Sequence, residues 1–247
     1  FHFSVSIYQV FKTNLNMKKY IFIIAFSIAT TIVAQESNYY FGVSYGKSFP
    51  LRDFAADDIA NSNSGFAESG NKLDVYGGAA LSEKLNFTLT FRYQNFDTDI
   101  YALVEESKTT KVEANIVGSS DDWKTYSLLA GIEYKINIGR KFSIYPRIGL
   151  GPILVSNPPF TIAVTNENAN TEVIRSSETG FGLGYELGIG LKRDIGNYFC
   201  LMPTFTFSGG FVTIPDVDTT IDNLRTTLDY MPKIITFNLG LSLAYKF

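Results

Sequence analysis

Phe181-Gly-Leu-Gly-Tyr-Glu-Leu-Gly-Ile-Gly-Leu-Lys192 decides how the rest of the chain is read. Six large apolar residues alternate with glycine or a charged residue. A period of two is that of a β-strand, so Phe181, Leu183, Tyr185, Leu187, Ile189 and Leu191 share one face. The opposite face carries Gly182, Gly184, Glu186, Gly188, Gly190 and Lys192. One face is broad and apolar, the other narrow and polar.

The same alternation recurs on both sides of this segment. Toward the N-terminus it occurs in Tyr39, Phe41, Val43, Tyr45 and in Leu73, Val75, Gly77, Ala79, Leu81. It continues in Leu85, Phe87, Leu89, Phe91, Tyr93, with Thr88, Thr90, Arg92 and Gln94 opposite. Tyr126, Leu128, Ala130, Ile132, Tyr134 oppose Ser127, Gly131, Glu133 and Lys135, and Phe142, Ile144, Ile148, Leu150 oppose Tyr145, Arg147 and Gly149. Toward the C-terminus come Phe199, Leu201, Phe205, Phe207 and then Ile235, Phe237, Leu239, Leu241, Leu243, Tyr245, Phe247. Eight such strands, each near the ~9–11 residues that cross a bilayer at a tilt, predict a closed, antiparallel, up-and-down transmembrane barrel.

The connections alternate too. Short ones fall at 82–84, 137–141 and 193–197, and long ones at about 49–71, 96–122, 155–179 and 208–232. Two long loops are expected to carry hairpins of their own. Phe160–Thr165 should pair with Thr171–Ser176, and Tyr101–Glu105 with Lys111–Val117. Pro146 and Pro203 each sit four residues into a strand. Proline removes a ladder donor, so bulges are expected at both.

Composition narrows the class. Of 247 residues only 18% are charged, while 15% are aromatic, with net charge −3. That balance excludes a disordered chain and a basic nucleic-acid binder. The single cysteine, Cys200, excludes a disulfide framework. Residues 1–16 read as an upstream extension. Met17-Lys18-Lys19 and the apolar stretch after it, ending at Ala34, read as a cleaved signal peptide. Residues 35–247 then form the barrel domain. The four long loops hold 18 acids and five bases, which disfavours nucleic acid as a partner.

With its leader, loop alternation and C-terminus, the chain resembles the eight-stranded outer-membrane β-barrels of the porin-like "outer membrane protein beta-barrel domain" group, over residues 35–247. Leu239, Leu241, Leu243, Tyr245 and the terminal Phe247 look like the signal that such proteins present to the barrel assembly machinery. The resemblance implies a location in the outer membrane and contact with its lipid and lipopolysaccharide. Tyr39, Tyr93, Tyr134, Phe142, Phe181, Tyr198 and Tyr245 would supply the interfacial girdles.

Enzymatic chemistry is not expected. Barrel hydrolases generally use a histidine as general base, and the only histidine is His2, ahead of the leader. Gly182-Leu-Gly184 lacks the helix of a dinucleotide site. Asp216, Asp218 and Asp222 lack the glycine and glutamate of an EF-hand loop. Cys200 reads as a small filler. No cofactor or metal is expected. Four charges on the inward phase of consecutive strands, Arg92, Glu133, Arg147 and Glu186, should pair inside a narrow lumen, with Lys135 and Lys192 nearer the short-turn rim. The expected function is structural, adhesive or interactive, in a monomer whose acidic loops meet an unidentified extracellular ligand. The alternatives are a narrow channel or passage for small, even apolar, molecules, and a soluble binding barrel, for which the charged face points the wrong way.

Overall fold

Alternation of apolar and polar residues becomes eight long strands closed into a ring. The computed structural model describes residues 39–247 except 59, 60, 62, 108–114, 140, 141, 166–169 and 223. The expected extension and signal peptide, 1–34, lie outside the described residues. The ring consists of β1 (Tyr39–Pro50), β2 (Ala67–Ala80), β3 (Leu85–Thr98), β5 (Trp123–Tyr134), β7 (Phe142–Ser156), β10 (Thr179–Ile195), β11 (Phe199–Ile221) and β13 (Lys233–Lys246). Each pairs antiparallel with the next, and β13 pairs with β1 to close the circle. Closure leaves no edge, which is what a sheet in lipid requires.

The outward face is apolar and exposed, as at Phe41, Leu89, Phe91, Leu128, Leu183 and Leu241. Hydroxyls, amides and charges lie inside, buried. Short turns join the strands at one end. Gly139 and Gly196 take φ of +69° and +65° there, a conformation that favours glycine.

The prolines correct the expected bulges. β7 pairs with β10 without a break from Phe142 to Ser156, through Pro146, in unchanged register. On the other edge its ladder stops at Glu133↔Arg147 and resumes at Ile136↔Ile144, in the short strand β6 (Ile136–Ile138), still in register. Pro203 behaves likewise. It pairs with Leu241 of β13, while the β10 ladder skips from Gly190↔Thr204 to Arg193↔Leu201. A proline lacks one donor, so losing pairs along one edge suffices and no extra residue is inserted. The register shifts fall elsewhere, between Ala67 and Gly70 and between Ile214 and Val217.

At the long-loop end a second sheet forms above the ring. It runs β4 (Asn115–Ser120), β8 (Phe160–Thr165), β9 (Asn170–Arg175), the far end of β11, and β12 (Leu224–Tyr230). The expected hairpin at 160–176 is present. The one expected from Tyr101–Glu105 is not: Ile100–Ser107 is a helix, α1. Asp99 explains it, because its carboxylate accepts a hydrogen bond from the Ala102 N–H at 2.8 Å, as an N-cap does. Lys111–Ala114 lie outside the described residues, and β4 pairs with β8 instead.

Candidate functional site

The interior is layered, because residues on the inward phase of eight strands meet at matched heights. Next to the short turns sit Tyr40, Tyr76, Tyr145, Cys200, Met202 and Ala244. Tyr76 and Ser242 share a short hydrogen bond, and the Lys192 ammonium lies 5.2 Å over the Tyr145 ring and 5.8 Å over Tyr40.

Above them lie six charges. Asp74 and Arg92 face each other in the β2–β3 register, and Glu133 and Arg147 in the β5–β7 register. Arg92 grips Asp74 with two hydrogen bonds, 2.7 Å from Nε and 3.0 Å from Nη2. Its Nη2 also pairs with Glu186 on β10, which is not a neighbour of β3, so that contact crosses the lumen. Lys72 reaches Asp74 at 2.8 Å, and Arg147 reaches Glu186 at 2.7 Å and Glu133 at 3.9 Å. The Tyr40 hydroxyl donates to Glu133 at 2.7 Å. Three acids and three bases thus neutralise one another where a lone charge would be costly.

The four expected lumen charges are therefore brought together, but in a different pattern. Arg92 pairs with β2 and across the barrel rather than with its neighbour β5. Lys72 and Asp74, absent from the sequence reading, complete the set. Lys135 and Lys192 do not join it. Among the described residues neither forms an ion pair, since Lys135 follows the end of β5 and Lys192 sits over tyrosine rings. Gly188 of β10 makes room for this layer. A Cβ on Gly188 would stand 2.7 Å from Thr206 Cγ2 and 3.1 Å from Arg147 Nε.

The next layer is uncharged. Gln94 donates to Ser48 and Asn238 at 2.8 and 2.9 Å, and Asn238 donates to Ser208 at 2.9 Å. These bonds tie β1, β3, β11 and β13 together. Apolar side chains close the long-loop end. Phe54, from the loop after β1, is fully buried with its ring 5.1 Å from Phe96 and 5.4 Å from Trp123. The Trp123 indole N–H donates to the Gly65 carbonyl at 2.9 Å, pinning that loop over the barrel.

Phe247 ends the closing strand. Its ring meets Tyr245 at 5.0 Å and its N–H donates to the Tyr39 carbonyl, with Leu239, Leu241 and Leu243 behind it on β13. Among the described residues no group of three or more His, Cys, Asp or Glu side chains is placed to hold a metal. In the acidic loop, Asp218 instead accepts hydrogen bonds from Arg225 and Thr227.

This closed ring, apolar outside and polar within, matches the family described as outer membrane protein beta-barrel domain over residues 21–247. The chain belongs to that family. It is an outer-membrane protein, and its strands span the bilayer. Among solved structures this outer-membrane barrel is similar to the attachment invasion locus protein Ail of Yersinia pestis, at 14% identity over 86% of this chain and 100% of that one, with a TM-score of 0.43. It is also similar to a major outer membrane protein from Thermus thermophilus, at 13% identity, 86% and 100% coverage and a TM-score of 0.48. A third is OprG from Pseudomonas aeruginosa, at 13% identity, 85% and 95% coverage and a TM-score of 0.39. No curated protein sequence matches the chain.

Proposed function

We propose that this outer-membrane barrel is a closed, monomeric, non-enzymatic platform whose function resides in its extracellular loops. The observation that carries the reading is the interlocked cluster of Lys72, Asp74, Arg92, Glu133, Arg147 and Glu186, which spans the lumen from wall to wall. An eight-stranded barrel is just wide enough for side chains to fill. A channel of that width would need small polar walls with a continuous gap, whereas here long charged side chains meet across it. The six charges spend themselves on one another rather than on activating a nucleophile. The cap of Phe54, Phe96 and Trp123 opposes passage from the outside. In this reading lipid and lipopolysaccharide are its surroundings, the barrel assembly machinery inserts it through the C-terminal strand, and an extracellular ligand is met by the loop sheet.

Liposome swelling tests it. Proteoliposomes carrying the folded protein should swell in monosaccharide no faster than protein-free ones. Swelling at the rate of a general porin would assign the lumen to transport.

A further inference from the structure

Among the long loops lies a cavity that shares Trp123 with the apolar cap. It has a volume of about 360 Å³, within the ~300–1,000 Å³ of small-molecule pockets. Trp123, Tyr230, Phe160, Ile162 and Val173 supply its walls, drawn from β5, β12, β8 and β9, and Arg175 lies among them. The polar atoms of the aromatic walls are already committed: Trp123 donates to Gly65 and the Tyr230 hydroxyl to the Ser64 carbonyl at 2.9 Å.

Arg175 is different. Its guanidinium stacks 4.3 Å over the Tyr230 ring and 5.9 Å from that of Phe160. Among the described residues it has no ion pair, no acid lines the cavity, and its buried Nε has no hydrogen-bond partner. Burial pushes its pKa down from the usual arginine range, yet a guanidinium stays charged at physiological pH. Among the described loop residues it is a positive charge partly removed from water with a buried donor left unpartnered. The guanidinium stacked on the Tyr230 face lines the cavity and keeps an unpartnered N–H donor.

We infer that this cavity binds a small amphipathic monoanion, its apolar body against Trp123, Ile162 and Val173 and its carboxylate on Arg175. One cation calls for one negative charge, because a dianion would bury an excess. The apolar walls disfavour a bare inorganic anion, which would bring charge without burying surface. The site lies outside the lumen, so it holds whether or not the barrel conducts.

Trp123 is the only tryptophan of the chain and lines the cavity, so its emission reports occupancy. The full protein, folded in phosphatidylcholine vesicles, is titrated at physiological salt with decanoate, decanol and acetate. Decanoate should change the emission saturably, decanol of the same length should not saturate, and acetate should do nothing. Arg175→Gln should weaken decanoate by about tenfold or more, the worth of a charge-assisted hydrogen bond. Val173→Phe, which fills the cavity and keeps the arginine, should abolish the response while the unboiled gel band still marks a folded barrel. Equal responses to decanoate and decanol, a response to acetate, or wild-type decanoate affinity in Arg175→Gln would overturn the assignment. Should Arg175→Gln fail to fold, wild-type decanoate binding by Val173→Phe overturns it equally.

Discussion

Replacing Arg92 with methionine removes the hub of the lumen cluster while keeping an unbranched side chain of similar reach. Arg92 is 1% exposed and serves two carboxylates, Asp74 on β2 and Glu186 across the barrel. Two unit charges about 4 Å apart attract by about 4 kcal/mol at an effective dielectric near 20, so the two contacts are worth about 8 kcal/mol gross. Repulsion from Lys72 and Arg147, and the desolvation of the guanidinium, offset roughly half. Asp74 keeps Lys72 and Glu186 keeps Arg147, but three acids then face two bases. The expected loss is ~3–5 kcal/mol, the range for a buried pair broken on one side. Urea unfolding in vesicles, followed by Trp123 emission and by the gel shift between unboiled and boiled samples, measures it. Arg92→Met with Glu186→Gln restores neutrality and should recover at least ~1 kcal/mol of the single-mutant loss, a coupling expected of residues in contact. A single mutant within ~0.5 kcal/mol of wild type, the range of ordinary surface changes, would refute the claim that the cluster is a coupled unit.

Deleting Phe247 should lower the folded, membrane-inserted fraction in cells more than removal of residues 100–107 does, because it strips the terminal contacts with Tyr245 and Tyr39 from the closing strand; equal levels on unboiled gels would sink that. The β11–β12 hairpin should respond to acid. Hydrogen bonds from Arg225 and Thr227 hold the Asp218 carboxyl below the usual carboxylate range, so its contribution is complete above the ordinary value near ~3.9 and is lost as pH falls through the lower folded value. Amide protection of Leu224–Tyr230, corrected for intrinsic exchange, should therefore be flat from neutral pH to about 5 and fall only in stronger acid, and Asp218→Asn should abolish that dependence. Protection lost at pH 6 would assign the switch to another group.

The barrel is legible because its two solvents write themselves into the chain. Lipid demands Leu, Phe and Tyr on alternate residues, and a narrow lumen demands Gly, Ser, Thr or a paired charge between them. Arg92, Glu133, Arg147 and Glu186 stand out as charges on that inner phase. Asp74 lies on it too, between Leu73 and Val75, but the alternation of the second strand begins at Leu73. That start leaves Lys72 just outside the strand and puts only the outward face in view. The Arg92–Glu186 contact is not legible at all. Alternation gives each strand its neighbours, whereas a contact across the lumen depends on stagger and side-chain length. Tyr101–Glu105 reads as a short strand because Tyr-Ala-Leu-Val is a brief apolar run, which periodicity alone cannot assign to strand or helix, and the cap at Asp99 decides for the helix. The extension of β11 beyond the ring is hidden by Pro215 and Asp216, where φ is +55° and the register shifts. The cavity around Arg175 needs the loop sheet itself, which joins five strands from three separate long loops.

The most direct test of the account is the accessibility of alternate residues along β3. With Cys200 changed to serine, Thr88, Leu89, Thr90 and Phe91 are replaced one at a time by cysteine, spin-labelled and reconstituted in vesicles. Labels at 89 and 91 should collide freely with oxygen and not with a water-soluble nickel complex, as lipid-facing groups do. Labels at 88 and 90, inside a filled lumen, should be shielded from both. Free access of the nickel complex to 88 and 90 would contradict the filled lumen, and a uniform or inverted pattern would contradict the lipid-facing barrel itself.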